Sequence, residues 1–272
     1  MSAQLREAAS VILLRRAELG FEVFLLRRHK KASFMASAFV FPGGGAEPGE
    51  DARTAAAREL FEEAGVLLAR ANANLDSDTL ELPIQAVLRR RILDGANAEA
   101  ALTAAGLAWS TEALVPWSHW ITPSIEPKRF SARFFVCELP GAQTPSFDDV
   151  ETVDEAWVRP ADAIARAGEL KLPPPQLRTM WELSQFGTIA EVLAAGRARA
   201  DEPHPIMPRL RASSTGDSLC LLLPWDPEYT VTGTGDAAPL TYTPSWANGP
   251  SRFILEDRAW KHVGAPGSTT AG

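Results

Sequence analysis

Three glutamates, Glu59, Glu62 and Glu63, fall within one short run of a predicted helix. Residues three and four apart share a helix face, so Glu59 lies beside both of the others. Like charges at this spacing repel by roughly a few tenths of a kcal/mol per pair in water. A bound divalent cation removes that repulsion, and hard carboxylate oxygens suit Mg²⁺ or Mn²⁺. The expected metal ligands are Glu59 and Glu63, with Glu62 beside them. Either Glu62 or Glu59 is placed to act as a base that positions water. A cation held in this way serves hydrolysis, because it neutralises oxyanions and lowers the pKa of a bound water. An ordinary solvated acidic helix is the alternative reading of the same charges.

The neighbouring residues suit the task of positioning those carboxylates. Phe41-Pro42-Gly43-Gly44-Gly45 reads as a turn whose glycines allow positive φ and close backbone approach. Pro48-Gly49-Glu50-Asp51 opens the helix, with acids at its positive end. Ala52, Ala55, Ala56, Leu60 and Ala64 form a packing stripe, small enough to sit close on a sheet. Gly65 stops the helix, which is expected to span about 51–64. Arg58 stands one turn before Glu62 and can hold carboxylates in register.

Read outward, Gly44, Glu50 and the run Arg58-Glu59-Leu60-Phe61-Glu62-Glu63-Ala64-Gly65-Val66 fill every fixed position of the Nudix box. The chain therefore resembles the Nudix hydrolases, which cleave a nucleoside diphosphate linked to another moiety. That resemblance implies an αβα sandwich with a mixed sheet, a Mg²⁺ or Mn²⁺ cofactor and a small-molecule nucleotide substrate. It implies that Arg58 orients the glutamates and that Glu50 supports it. It also implies a further carboxylate from a distant loop. Glu151, six residues before Trp157, is the best candidate, with a solvated acidic loop as the alternative. Expected substrate contacts are Arg28, within the basic run Arg27–Lys31, the glycines Gly43 and Gly44, and Arg129 and Arg133. For Arg27–Lys31 a surface charge cluster is an equal reading.

The flanks narrow the resemblance. Ser33-Phe34-Met35, Trp120-Ile121-Thr122-Pro123, Pro127-Lys128-Arg129-Phe130, Arg133-Phe134-Phe135, Trp157 and Pro174-Pro175-Gln176 look like the branch of peroxisomal acyl-coenzyme A diphosphatases and their bacterial relatives. This implies cleavage of coenzyme A or acyl-coenzyme A to 3′,5′-ADP and (acyl-)4′-phosphopantetheine. A second coenzyme A-associated signature is absent, because Ser33 and Ser37 stand where it has an arginine and a glycine. The same chemistry on ADP-ribose, NADH or a dinucleoside polyphosphate is the alternative. A non-catalytic nucleotide-sensing or partner-binding module is the alternative of another class, and the intact glutamates speak against it.

Strands are expected at 8–15, 21–28, 36–41, 115–122 and 130–139, and residues 152–158 lead into another around Trp157. Two short helices over 84–106, interrupted at Asp94-Gly95, form an insertion within about 72–112. Further helices are expected at 161–168, from Pro173 to Phe186, and at 188–199. A Nudix domain thus covers 1–200. Residues 201–272 form a Pro- and Gly-rich extension packed on it, irregular apart from strand-like islands at 218–223 and 251–256. Trp225 in this extension is a candidate for folding over the pocket. His119, between tryptophans, reads as a hydrogen-bonded structural histidine.

With 272 residues the chain can bury one substantial core. A net charge of −7 argues against general binding to nucleic acid or anionic membranes. No run is long and apolar enough for a membrane span, and the N-terminal apolar run is too short for a signal peptide. The end, Gly-Ser-Thr-Thr-Ala-Gly, lacks a peroxisomal address of the S-K-L type. Cys137 and Cys220 suggest no disulfide framework, and Cys137 reads as a core residue. A cytoplasmic setting is expected, and a homodimer is compatible with the sequence.

Overall fold

The apolar runs near the N-terminus form β1 (Leu5–Arg16) and β2 (Phe21–Arg28), joined by a tight turn at Gly20. The structure is a computed structural model that describes residues 4–31, 35–71, 82–141, 143–148, 151–202, 204–211 and 219–265. Ser33 and Phe34 of the flanking motifs lie outside the described residues. Along β1, Ala9, Val11 and Leu13 enter one core and Ile12 and Leu14 another, all without solvent exposure. A strand buried on both faces belongs to the middle of a sandwich.

The chain continues through β3 (Phe39–Val40), β4 (Gly43–Gly45) and the glutamate-bearing α1 (Ala52–Ala64). Then β5 (Ala69–Ala71), α2 (Leu82–Leu93), α3 (Ala98–Ala104) and β6 (Leu107–Trp109) form the insertion. The pairing of β5 with β6 ties its two ends together. Next come β7 (Val115–Ile121), β8 (Arg129–Glu138) and β9 (Thr152–Val158). Four helices follow: α4 (Pro160–Ala165), α5 (Ala167–Leu170), α6 (Pro174–Leu183) and α7 (Ile189–Arg199). The single helix expected at 161–168 is therefore two, broken at Arg166.

The central mixed sheet has the order β10-β7-β8-β1-β2-β3, where β10 (Pro205–Ile206) already belongs to the extension. Strand β8 runs parallel to β1 over most of its length. On the other edge, β1 pairs with β2 only at residues 14–16 and with β4 at 8–10. The two strands splay, and β4 enters the fork. The expected third strand at 36–41 is thus reduced to β3, and the glycine turn after it becomes ladder instead. One face of the sheet carries α1 and the insertion, and the other carries α4, α6, α7 and part of the extension.

The extension is not irregular. Strands β11 (Arg209–Arg211), β12 (Cys220–Leu222), β13 (Gly233–Thr234), β14 (Arg252–Glu256) and β15 (Ala259–Val263) form an antiparallel sheet in the order β13-β11-β12-β14-β15. Arg178 on α6 staples it to the sandwich. This fully buried guanidinium donates to the carbonyls of Trp246 (3.0 Å), Asn248 (2.8 Å) and Pro250 (3.1 Å), and pairs with Glu182 at 2.7 Å. Trp225 lies against Arg178 and Trp246 in the core opposite α1, so it does not cover the carboxylates. Among the described residues no helix is long and apolar enough to cross a membrane.

Candidate active site

The box helix begins and ends as its sequence requires. Asp51 caps it, accepting from the backbone N–H groups of Arg53 and Thr54 at 2.8 and 3.1 Å. Gly65 closes it in the left-handed region at φ 70°, its N–H bonded to Phe61. Ala55, Ala56, Leu60 and Ala64 are buried as expected, and so are Ala57 and Phe61, because the insertion covers a second side of the helix. Burying Leu60 and Phe61 contributes about 1.5–3 kcal/mol each. This holds the helix firmly enough to present charges.

Arg58 organises those charges. It is buried, and its Nε and Nη2 grip both oxygens of Glu50 at 3.0 Å. Nη1 donates to Glu59 at 3.0 Å and to Glu62 at 3.2 Å, and Nη2 also reaches the Gly45 carbonyl at 2.8 Å. Burial works against its charge. Even so, the Glu50 hydrogen bonds and the charges of Glu59 and Glu62 carry its pKa above the ordinary arginine value.

Glu63 stands apart from this network. Its Oε2 accepts the Gly43 N–H at 2.8 Å, and the side chain is buried. Burial pushes its carboxyl up to about 8, with the Gly43 bond opposing and the charges of Glu59 and Glu151 adding. Burial likewise pushes Glu59 up to about 7, with Arg58 opposing and Glu62 and Glu151 adding, and raises Glu62 more mildly. The exposed Glu151 therefore acts on both Glu59 and Glu63. Its own backbone is fixed by Asp148, which accepts its N–H, and by His29, which donates to its carbonyl at 2.9 Å.

Two of the three glycines, Gly43 and Gly44, set how closely the sheet approaches. A Cβ on Gly44 would lie 2.6 Å from the Glu59 carboxylate, so only glycine leaves that carboxylate its place. Arg28, at the end of β2, faces Glu63 with its charge, and its buried Nε has no hydrogen-bond partner. Arg133 lies on β8 level with Gly44, through the pairs Gly44–Ala9 and Ala9–Arg133. Arg129 is placed differently. It is buried, donates to the Thr122 carbonyl at 3.1 Å and faces Asp236 of the extension at 3.8 Å. His119 is bonded to Ser131 at 2.9 Å, and Cys137 is buried with its thiol pushed up to about 12.

One positioning residue escapes sequence reasoning. Arg89 of the insertion donates to the carbonyls of Glu62 (3.0 Å) and Glu63 (2.9 Å) and to Ser146. It thereby caps the negative end of α1 and joins it to the loop that leads to Glu151. Arg89-Arg90-Arg91 gives no sign of which arginine turns inward.

The donor set fits a hard divalent cation. A buried and a partly buried carboxylate, coupled to each other and to Glu151, are electrostatically unfavourable without one. Among the described residues, no three acidic, histidine or cysteine side chains already stand together as a cage. Glu59 is turned to Arg58, and Glu63 to Gly43.

Comparison with known proteins agrees with this geometry. The family model described as the NUDT19 Nudix domain matches residues 48–184, about half of the chain. A Caenorhabditis elegans protein named among the nudix hydrolases is 32% identical over 187 residues, covering 66% of this chain and 61% of its own. The acyl-coenzyme A diphosphatase NUDT19 of Xenopus laevis is 26% identical over 235 residues, covering 63% and 62%. The chain thus spans about three fifths of the length of these two relatives. A crystal structure of a Nudix hydrolase from Alicyclobacillus acidocaldarius superposes with a TM-score of 0.62 at 26% identity, over 71% of this chain and 96% of that one.

Proposed function

Because the chain belongs to the Nudix hydrolases, on the branch of the NUDT19 Nudix domain, we propose that it is a divalent-metal-dependent hydrolase of the pyrophosphate linkage in a nucleoside diphosphate derivative. Coenzyme A or acyl-coenzyme A is the substrate we place first, after the activity in the name of the Xenopus relative. The observation that carries the reading is the buried Glu63 and the partly buried Glu59, both facing the charge of Glu151, beside an arginine that holds Glu59 and Glu62.

Glu59 and Glu63 would hold the cation, with Glu62 and Glu151 at its margin. When bound, Mg²⁺ or Mn²⁺ neutralises phosphate oxygens and supplies an activated water. Arg58 holds Glu59 and Glu62 at fixed separation, and Glu50 keeps Arg58 itself in place. Glu62 is the more exposed of the two candidate bases, with 24% of its side chain accessible against 14% for Glu59, and is the better placed to meet water. Arg28, whose charge faces Glu63 from the end of β2, is the phosphate contact we assign to that strand. Arg133, not Arg129, is the β8 arginine assigned to substrate, since the Arg129 guanidinium already serves the extension.

Purified protein with Mg²⁺ is expected to release 3′,5′-ADP from coenzyme A. A panel with ADP-ribose, NADH and dinucleoside polyphosphates separates this substrate from others of the same chemistry. Glu63→Gln is expected to lower turnover at least about a hundredfold while the protein stays folded. Failure across the panel with both Mg²⁺ and Mn²⁺ counts against any hydrolase, and near-normal turnover of Glu63→Gln sinks the metal-site assignment.

A further inference from the structure

An open cavity of about 380 Å³ lies between the first turn of α1, strands β7 and β8 and the start of the extension. It occupies the same rung of the sheet as the carboxylate site. Gly44 pairs with Ala9, Ala9 with Arg133, and Arg133 with His119. Arg133 is therefore two strand spacings, about 10 Å, from the glycine beneath Glu59. That is beyond the reach of one phosphate shared between the two positions.

The charges around the cavity are unevenly used. Arg199 is paired with Glu182 at 2.8 Å and lies over the Trp117 ring at 3.8 Å. Arg53 donates to the carbonyls of Thr111 and Leu114. Asp51 caps α1, and Glu202 accepts from Ser245 at 3.0 Å. Arg133 is exposed and, among the described residues, its side chain makes no hydrogen bond or ion pair. His119 beside it uses one ring nitrogen on Ser131 and keeps the other. Trp246, held through its indole N–H to the Glu202 carbonyl, forms an aromatic wall that the extension contributes.

An unpaired arginine beside an aromatic wall suits a phosphate monoester attached to a ring system. The guanidinium fork binds phosphate oxygens bidentately, and the rim of the Trp246 indole, whose ring is otherwise covered by Arg199 and Trp225, offers an apolar edge to the attached sugar or base. We infer that this cavity is a second anion subsite, which receives a phosphomonoester on the nucleoside end of the substrate while the diphosphate lies at the carboxylates. The inference rests on the diphosphate-hydrolase reading of the neighbouring site. It also gives the extension a task, since Trp246 and His204 complete the cavity.

Calorimetry on the full chain with two probes, 3′,5′-ADP and 5′-AMP, tests the subsite without catalysis. Wild type is expected to bind 3′,5′-ADP at least tenfold more tightly, and Arg133→Ala to bring the two within about threefold. Arg133 is exposed and unpaired, so the variant should melt with wild type. In kinetics, the ratio of kcat/KM for coenzyme A to that for dephospho-coenzyme A should fall at least tenfold in the variant. A wild type without preference, a variant that keeps it, or equal losses on both substrates would each overturn the subsite. If no substrate is hydrolysed, the hydrolase reading falls, and the two-probe titration alone decides the subsite.

Discussion

The three consecutive glycines of β4 separate local fold from site chemistry, because the space above each is different. A Cβ on Gly43 would lie 2.3 Å from the Ala9 carbonyl and 2.5 Å from the Ser10 Cα, with φ at +154°. The backbone of β1 cannot yield, so Gly43→Ala is expected to cost about 3 kcal/mol, the upper end for overpacking. For a chain of this size that lowers Tm by roughly 6–12 °C. A Cβ on Gly44 meets only the Glu59 carboxylate, at 2.6 Å against the 3.4 Å of ordinary contact. A side-chain terminus can swing aside, so Gly44→Ala should cost about 1 kcal/mol in folding. The displaced carboxylate, however, is a proposed metal ligand, and misplacement of about 1 Å can lower turnover roughly a hundredfold. A Cβ on Gly45 meets nothing within 4 Å, so Gly45→Ala should stay within about 0.5 kcal/mol of wild type. Thermal unfolding ranks the three variants by stability, while Mn²⁺ titration and turnover rank them by function. The reasoning fails if Gly44→Ala keeps wild-type metal affinity and turnover, or if Gly45→Ala is as damaging as Gly44→Ala.

Three further outcomes follow from basic side chains elsewhere in the fold. Arg178→Met removes one partner of a buried pair and leaves the carbonyls of Trp246, Asn248 and Pro250 unpaired. A loss of about 3 kcal/mol is expected, the low end for such pairs because Glu182 keeps Arg199; unfolding and limited proteolysis of residues 219–265 read it, and unchanged protection would refute the staple. His262 is held down to about 3 by burial and by the Arg178 charge, so the unfolded chain binds the extra proton between that value and the ordinary 6.5. Stability from this group is complete above pH 6.5 and is lost as pH falls towards 3; His262→Phe should flatten that stretch of the stability curve, and an unaltered slope would discount the group. Arg89→Ala strips the cap from the last turn of α1, with an expected loss of about 1.5–3 kcal/mol in urea unfolding and faster amide exchange in that turn, partly recovered by Arg89→Lys.

The sequence was most legible where local rules decide the outcome. The helix predicted at 51–64 forms as Ala52–Ala64, because an Asp cap and a left-handed glycine act within one turn of the chain. The strand at 21–28 falls on its predicted bounds, because a nearly continuous apolar run is written into its own side chains. Strand β4 was read as a turn, since glycine is depleted in strands. Its pairing comes from the splay of β1 and β2, which no local window contains. In the extension the islands at 218–223 and 251–256 become β12 and β14, while β11, β13 and β15 escape the sequence, because they are two to five residues long and the sheet is anchored by an arginine on α6, far away in sequence.

The site shows the same boundary at the level of single charges. Spacing alone puts Glu59, Glu62 and Glu63 on one side of a helix and Arg58 among them, but it cannot say how one guanidinium is shared. The fold decides it. Arg58 lies under the helix against Glu50 and the Gly45 carbonyl, and from there it reaches Glu59 and Glu62. Glu63 receives only a backbone N–H and the more distant charge of Arg28. A buried carboxylate left without a bonded cation either takes up a proton or draws one from outside the protein. The residue with the least compensation inside the chain is therefore the one with the most to gain from a divalent ion, which is why Glu63 rather than Glu59 carries the decisive substitution.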